Sequence, residues 1–206
     1  MIRRFTATFD EPLRDAGFPT FEERIAETDA AHSLKGVFFE EIVAVLGPEL
    51  ETHQASLIAP PRTGRYLPFS SYPLRDHAVL AYHAARKLHP TLSMRESLRR
   101  LHRGNLEAFA KTTAGRVLTA MTSDLRTDFG RIEEGFKLGR VCGRVEARAI
   151  EERAIEVIFS AADPWLDCSE LGTLEGMGTF FGKRFRIEVE LVSNVEGSFV
   201  CRFLRD

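Results

Sequence analysis

The spacing of apolar residues changes near Arg140, and this change constrains the fold more than any other feature of the sequence. Before it, apolar residues recur every three or four positions, which is typical of amphipathic helices. After it, apolar and charged residues alternate, which is typical of strands with one buried face. Because the two patterns occupy separate parts of the chain, the sequence predicts an α+β domain.

Two strong helix patterns lie in the first half of the chain. The first spans residues 34–47 and ends at Gly47 and Pro48, since glycine tolerates a left-handed cap and proline cannot continue a helix. The second spans residues 74–88 and has small alanines in its apolar stripe, including Ala81. Small residues allow a neighbouring helix to approach closely, either within the chain or in a second copy.

A third helix is predicted over residues 94–110. Ser93 and Glu96 fit a capping box, in which each side chain satisfies the other residue's backbone N–H. His102 lies on or beside the apolar stripe of this helix, among several arginines. Weaker helical patterns follow over residues 114–125 and 129–139.

The alternating part predicts four strands with one helix in the middle. The predicted strands are 140–150, 154–161, 184–192 and 198–206, and the predicted helix is 169–182. We therefore expect an N-terminal helical layer followed by an antiparallel four-stranded sheet, in the order strand–strand–helix–strand–strand. Gly172, Gly176 and Gly178 would let the helix backbone lie close to the sheet. Residues 1–33 are interpreted as a polar lead-in and residues 34–206 as a single domain.

Composition and charge exclude several classes of function. The 28 basic and 30 acidic residues give a net charge of −2, so nucleic acid is not an expected partner. The sequence contains no apolar run of the roughly 20 residues that span a membrane, and its start has no apolar core of a secretory signal. The three cysteines are widely spaced and odd in number, which favours a reducing cytoplasm.

Four segments carry a resemblance to a known family. The stretches "LKGVFFEEIVAVLG", "YLPFSSYPLRDHAVLAYHAARKLHP", "ESLRRLHRG" and "PWLDCSELGTLEGM" together resemble a family of uncharacterised paralogues found in myxobacteria. The resemblance runs over about residues 30–206 and implies a domain of unknown function. Family members usually have glycine at the position of His102, so the resemblance argues against a family-wide chemical role for this histidine.

A more distant resemblance concerns the order of the elements. The segment "GTLEGMGTFFGKRFRIEVELVSNVEGSFVCRF" is similar to the closing part of vinyl-reductase-type ligand-sensing domains. The element order resembles that of the wider superfamily, which includes haem-dependent nitric-oxide sensors and TRAPP trafficking subunits. This resemblance implies a small-molecule sensor or an assembly module, often dimeric.

Haem and zinc are each implied by part of this superfamily. The gas sensors take an iron-binding histidine from a helix just before the sheet and contact haem through a Tyr-x-Ser-x-Arg motif. This chain has no histidine after His102 and no tyrosine between Lys111 and Ala149, so we expect no haem and a colourless protein.

The zinc site of the vinyl-reductase type would fall on four positions, namely Cys168, Glu188, Ser193 and Cys201. Serine is a poor zinc ligand beside thiolate. The alternation also points Glu188 outward and Cys201 inward. We therefore expect no metal or other cofactor, and we interpret Cys168 and Cys201 as small buried hydrophobic residues.

No catalytic motif is evident, and no residue is assigned a catalytic role. The sequence has no nucleophile elbow, C-x-x-C, phosphate loop or H-E-x-x-H. We interpret His102 as hydrogen-bonded scaffold. His77, His83 and His89 are six residues apart and do not share one helix face, so we interpret them as surface residues and not as a metal site.

These patterns predict a non-enzymatic regulatory domain in the cytoplasm, forming a homodimer and binding a small apolar ligand or a protein partner. A pure protein–protein assembly module is the alternative, and an enzyme of unknown type is the third possibility. A ligand sensor should show a cavity of about a few hundred Å³. An assembly module should show a filled core and an exposed apolar patch, and an enzyme should show polar groups with perturbed pKa values in a cleft.

Overall fold

A five-stranded antiparallel sheet forms one layer of the protein. The computed structural model describes residues 2–61, 65–111, 132–181 and 183–204. The sheet's strands are β1 (Arg3–Thr8), β5 (Arg144–Glu151), β6 (Ala154–Ser160), β7 (Phe185–Leu191) and β8 (Gly197–Phe203). Their order in the sheet is β1–β7–β8–β6–β5.

The predicted α+β class is confirmed, but the predicted count of four strands is wrong. The fifth strand is β1, which pairs antiparallel with β7, with Arg3 opposite Leu191 and Thr8 opposite Arg186. It comes from residues 1–33, which were interpreted as a polar lead-in. Its short alternation includes Ala7, which is buried against the sheet core. A six-residue strand at a sheet edge needs few apolar residues, so its pattern is weak.

The alternating faces of β7 and β8 agree with the sequence prediction. Phe185, Ile187, Val189 and Leu191 are all buried along β7, and Phe199 and Cys201 are buried along β8. The predicted strand 140–150 is instead two strands. Gly143, with φ +45°, separates Arg140–Val141 from β5, and Val141 is exposed and not on the inward face.

The separated piece belongs to a second, three-stranded sheet, whose strands are β2 (Ser33–Lys35), β3 (Ser71–Pro73) and β4 (Arg140–Val141). Strand β2 lies in the middle and pairs antiparallel with both β3 and β4. The helix predicted over 34–47 therefore begins later. Leu34 lies in β2, a 3-10 turn follows, and helix α2 spans Glu40–Leu46. Gly47, with φ +56°, ends the helix as expected.

The remaining helices form the second layer and the contacts between layers. They are α1 (Phe21–Glu27), α3 (Leu50–His53), α4 (Leu74–Leu88), α5 (Met94–Lys111), α6 (Ile132–Gly139) and α7 (Leu171–Phe180). Thr20 and Glu23 form a complete capping box at α1. The helix predicted over residues 129–139 is confirmed, since α6 is described from residue 132 onward. The helix predicted over residues 114–125 lies outside the described residues.

Helix α4 has the predicted bounds, and its alanine stripe packs within the chain. Leu74, Ala78, Ala81 and Ala85 are buried in one apolar core, whereas Leu88 is half exposed and not part of the stripe. Helix α5 packs against α4 and against α7. The alanine stripe is thus a contact inside the protein and not an exposed surface for a second copy.

Two of the three glycines of α7, Gly172 and Gly176, face helix α5, whereas the sequence predicted that they face the sheet. A Cβ atom added to Gly176 would lie 2.6 Å from the carbonyl oxygen of Arg103, and one added to Gly172 would meet the backbone of Arg99. The predicted approach to the sheet holds for Gly178, which meets the Phe185 ring at the start of β7. The close crossing of α5 and α7 joins the helical layer to the sheet layer.

Two apolar cores result. One lies in the helical layer around Phe39, Ile42 and Leu80, and the other lies between α7 and the sheet around Phe159, Leu171 and Phe199. Partly buried Phe136 packs against both. None of the described helices is long and apolar enough to span a bilayer.

Candidate ligand sites at the junction of the two layers

His102 is buried and hydrogen-bonded within its own helix. Its Nδ1 lies 2.9 Å from the carbonyl oxygen of Leu98, one turn earlier. Because a carbonyl only accepts, Nδ1 carries the proton and the neutral ring keeps a lone pair on Nε2. Burial lowers the pKa of His102 below its ordinary value. This geometry agrees with the prediction of a hydrogen-bonded scaffold histidine.

His77 is also buried, so its interpretation as a surface residue is wrong. It lies on α4 with its ring centroid 5.8 Å from that of His102. Burial holds the pKa of His77 well below its ordinary value, and His102 and Arg140 act in the same direction. The sequence analysis treated His77 like His83 and His89, as a surface residue, whereas the packing of α4 against α5 brings it next to His102.

A small cavity lies between the two layers beside these rings, and we call it the inter-layer cavity. Its volume is about 20 Å³, which is room for about one water molecule. The helical layer contributes both histidines and Ala81. Segments next to the sheet contribute Arg140 and the turn after β6; the other lining residues are Leu34, Leu74, Ala78, Leu98, Asp163, Trp165, Ser169 and Glu170.

Arg140 pairs with two carboxylates at this cavity. Its Nη1 lies 3.5 Å from Asp163 Oδ2 and is also bonded to Glu170. Asp163 accepts a further hydrogen bond from the backbone N–H of Trp165. Burial and the nearby charge of Glu170 raise the pKa of Asp163 to about 7. We call His77, His102, Arg140, Asp163 and Glu170 the inter-layer cluster.

Sequence reasoning missed the charged members of this cluster. Arg140 was interpreted only as the first residue of a predicted strand, and Asp163 and Glu170 were assigned no role. The available signal was the occurrence of acidic residues within the otherwise apolar stretch "ADPWLDCSE". Charged residues are seldom fully buried unless they are paired. Their partner lies more than 20 positions away, so spacing alone does not identify it.

A second set of buried ion pairs holds the N-terminal segment against the junction of the two layers. Arg24 of α1 donates to both carboxylate oxygens of Asp167, at 2.6 and 2.9 Å. Arg95 of α5 donates to the same carboxylate at 2.5 Å. The hydrogen bond and charge of Arg24, followed by the charge of Arg95, lower the pKa of Asp167 although burial opposes them. Three distant segments therefore meet at one buried carboxylate.

The arginines beside His102 are paired and do not surround it as free charges. Arg99 Nε donates to Glu175 of α7 at 2.9 Å, and Arg103 Nη2 donates to the same carboxylate at 2.6 Å. Arg100 pairs with Glu96 at 2.7 Å. The predicted capping box is half correct. Ser93 accepts from the backbone N–H of Glu96, but the Glu96 carboxylate bonds elsewhere, and Asp15 accepts from the first N–H groups of α5.

A larger groove lies beside β1, and we call it the β1 groove. Its volume is about 290 Å³. Its apolar lining includes the Phe5 and Phe18 rings, which meet edge to face at 5.6 Å, and Arg95 lies over both rings. The lining residues are Phe5, Thr6, Ala7, Glu11, Pro12, Leu13, Arg14, Ala16, Phe18 and Arg95. The sequence did not predict this groove because most of it belongs to residues 1–33.

The four positions considered for zinc do not converge. Cys201 is buried on the inner face of β8, whereas Glu188 on β7 bonds to Arg202 on the outer face. Cys168 lies in a turn before α7, where burial raises the pKa of its thiol to about 12. Ser193 is exposed in the turn between β7 and β8. Within the described ranges, no group of three or more histidine, cysteine or acidic side chains is placed to hold a metal ion.

Comparison with protein families gives a match that covers most of the chain. The family is described as a protein of unknown function, DUF2378, and the match spans residues 28–186. The chain belongs to this family. The resemblance stated from the sequence is thereby confirmed. No curated protein matches the chain.

Solved structures with a similar fold are H-NOX proteins. A mutant Fe(II) unliganded H-NOX protein from K. algicida superposes with a TM-score of 0.64 at 15% identity, covering 84% of this chain and 98% of that one. The H-NOX domain from Shewanella oneidensis in the Fe(II)CO ligation state gives 0.64 at 16% identity, covering 84% and 100%. The fold is therefore H-NOX-like, in agreement with the distant resemblance inferred from element order.

The side chains at the junction do not fit a haem. Cofactor sites are usually about 300–1,000 Å³, whereas the inter-layer cavity has about 20 Å³. An ion-paired arginine and two carboxylates line it, and His102 is hydrogen-bonded inside its own helix. The sequence offers no other histidine downstream of that position. The absence of haem stays a prediction, and the likeness to H-NOX proteins concerns the fold.

Proposed function

We propose that this protein is a non-enzymatic regulatory domain that binds a small apolar molecule in the β1 groove. The observation that carries the proposal is the groove itself. At about 290 Å³ it is close to the size of a small-molecule site, and Phe5, Ala7, Pro12, Leu13, Ala16 and Phe18 give it a mainly apolar lining. Arg95 in its wall bonds to Asp167, a carboxylate that it shares with Arg24, and its guanidinium lies over the Phe5 and Phe18 rings.

Binding of a ligand in the groove can affect the rest of the fold through hydrogen bonds between the groove wall and helix α5. Leu13 on the groove wall donates its N–H to Glu96 at 3.0 Å, and Ser93 donates to the Leu13 carbonyl at 2.7 Å. Arg95 joins the groove to Asp167, three residues before Glu170 of the inter-layer cluster. A ligand that holds the wall in place would therefore restrain α5 and the turn that carries Asp167.

Binding in the groove can be tested with an uncharged probe and a matched pair of tryptophan variants. The probe is 2-naphthol, which has an apolar body that the groove can hold. Ala16 is exposed on the groove wall, so Ala16→Trp should fill the groove without entering the core. Ala44 is exposed on α2 and does not line the groove, so Ala44→Trp is the control. NMR chemical shifts report binding at residues 5–18.

We expect saturable shifts in the unaltered protein and in Ala44→Trp, and none in Ala16→Trp. Shifts that persist in Ala16→Trp would place the probe elsewhere and contradict the proposal. If the probe does not bind and native mass spectrometry of protein purified from its host finds no small molecule, the assembly alternative gains support.

An assembly role through a second copy is the other candidate, and one observation favours it. Phe69 is 84% exposed and Leu67 is 62% exposed in the loop before β3. The loop backbone is fixed, since Gly36 and Val37 donate to Ser70 and Pro68 at 2.9 and 3.1 Å. Large apolar side chains held at a fixed surface are typical of contact sites. We propose a homodimer through this loop, which Phe69→Ser should convert to a folded monomer in sedimentation.

Two further parts of the proposal have structural support. A non-enzymatic role is supported by the size of the inter-layer cavity, which has no space for a substrate beside its histidines and carboxylates. A cytoplasmic setting is supported by the three cysteines, which are free buried thiols. Native mass spectrometry of the purified protein would report ligand and oligomeric state together.

A further inference from the structure

The β1 groove carries an excess of positive charge. Its lining includes two arginines, Arg14 and Arg95, and one carboxylate, that of Glu11. Asp167 compensates the charge of Arg95 only in part, because Arg24 donates to both oxygens of the same carboxylate. Two buried arginines therefore share one buried anion, and burying an incompletely compensated charge is costly.

The titration of Arg95 agrees with this charge balance. Burial lowers the pKa of Arg95 below its ordinary value, Asp167 opposes the change, and the charge of Arg24 adds to it. Asp15 does not restore the balance, because its carboxylate accepts from the first N–H groups of α5, where the end of the helix is itself positive. A further anion beside Arg95 would therefore be favoured.

Arg14 is the arginine of the groove that a ligand can reach. Its side chain is exposed, and within the described part of the chain its guanidinium forms no ion pair or hydrogen bond. Its backbone carbonyl accepts from Arg95 Nη1 at 2.5 Å, which holds the base of the side chain at the groove wall. Glu11 is also exposed, and its carboxylate accepts from the Thr8 hydroxyl at 3.5 Å. The free guanidinium can therefore turn toward a bound molecule.

Arg3 adds a third positive charge beside the groove. Arg3 and Phe5 are two residues apart along β1 and so share one face of the strand. The Arg3 guanidinium lies 5.5 Å from the centroid of the Phe18 ring. Its Nη1 donates to the neutral amide of Asn194, which separates it from Glu27. Arginines thus flank the aromatic part of the groove.

We propose that the ligand of the β1 groove is an organic acid, an apolar body with one carboxylate that pairs with Arg14. This inference rests on the proposed function, since it names the chemical class of the molecule bound in the same groove. The body would lie against Phe5 and Phe18. The carboxylate would accept from Arg14, whose planar guanidinium matches a carboxylate in geometry as well as in charge.

The experiment compares three probes that share one ring system and differ in charge. At pH 7, 2-naphthoate is an anion, 2-naphthol is neutral and 2-naphthylmethylammonium is a cation. NMR titration of the full chain at low salt gives a dissociation constant for each from the shifts of residues 5–18. We expect 2-naphthoate to bind about tenfold more tightly than 2-naphthol, because a charge-assisted hydrogen bond replaces a neutral one. The cation should bind more weakly than 2-naphthol.

Three variants assign the preference to Arg14. Arg14→Gln removes the charge and should remove most of the preference for 2-naphthoate over 2-naphthol, whereas Arg14→Lys keeps the charge and should retain much of it. Both variants should fold, since the side chain is exposed and the bond to Arg95 comes from the backbone. Arg75→Gln is the control for the loss of one positive charge, since Arg75 is exposed on α4 and does not line the groove.

Three results would overturn the inference while leaving the proposed function in place, provided that 2-naphthol still shifts residues 5–18. They are equal affinities for 2-naphthoate and 2-naphthol, tighter binding of the cation than of the anion, and an undiminished preference in Arg14→Gln. If none of the three probes shifts residues 5–18, the groove is not a ligand site, and both the inference and the proposed function fail.

Discussion

Replacing Gly172 with alanine tests the close crossing of α5 and α7. The new Cβ would come closest to the carbonyl oxygen of Arg99, and it would lie 3.0 Å from the carbonyl carbon and Cα of the same residue. Carbon atoms in contact prefer about 3.5–4.0 Å, and the oxygen is closer still, so the helices must separate by about 1 Å. The Arg99–Glu175 ion pair resists this movement because it joins the same two helices with both side chains buried.

Two opposing terms set the size of the effect. Overpacking of a filled interior costs about 1–3 kcal/mol, and alanine recovers about 1 kcal/mol of helix propensity relative to glycine. The contact is with backbone, which cannot rotate away, so the cost should lie at the upper end. We expect a net loss of about 2 kcal/mol in the free energy of unfolding, or about 4–8 °C in the thermal midpoint.

Gly104→Ala is the matched control on the other helix of the pair. Gly104 lies within α5 and has no neighbouring atom within 4 Å of an added Cβ, so alanine there should stabilise the protein by up to about 1 kcal/mol. Urea unfolding followed by circular dichroism measures both variants against the unaltered chain. A Gly172→Ala protein as stable as the original, with Gly104→Ala behaving as expected, would refute the close crossing.

The other predictions concern the titrating groups of the junction, the core of the helical layer, and haem and zinc. The raised pKa of Asp163 means that the folded state keeps a proton which the unfolded chain has lost, so stability should fall as pH rises from about 4 to about 7, by roughly 4 kcal/mol at most. Asp163→Asn should remove this slope in urea unfolding at several pH values; an unchanged slope would assign it to other groups. The lowered pKa values of His77 and His102 act oppositely, with stability falling as pH drops below about 6.5, so the comparison with the variant isolates Asp163. Ala81→Glu should unfold the chain because it buries an unpaired charge in the core, and a folded variant in circular dichroism would contradict that placement. Protein expressed with haem supply should be colourless, and a stoichiometric Soret band would show that haem binds. Elemental analysis should find no zinc, whereas one zinc per chain that is lost in Cys201→Ala would overturn this prediction.

Local patterns were sufficient for the elements whose burial is set by their own residues. The alternation of β7 and β8 predicted their buried faces, and the small residues of α4 predicted a tightly packed helix with the observed bounds. Period 2 and period 3.6 follow from backbone geometry, so they appear in the sequence whenever one face is buried and the other is exposed. Strand β1 is short and lies at an edge, and its pattern is correspondingly weak.

The neighbour of each element was decided only by tertiary structure. Gly172 and Gly176 indicated a close approach, but the sequence does not say whether a helix or a sheet makes it. A glycine shows only that some neighbouring atom lies too close to the helix backbone for a side chain. The identity of the partner depends on how the layers stack.

The same limit applies to the junction. His102 could be assigned to a buried stripe from its spacing, whereas its proximity to His77 and Arg140 depends on α4, α5 and β4 meeting at one point. Pairing of buried charges is a property of three-dimensional proximity, since an arginine can reach any carboxylate that the fold brings near it. The sequence by itself determined the two layers and their apolar faces. The tertiary structure decided which charged residues meet between them, because residues far apart in the chain become neighbours only when both layers are folded.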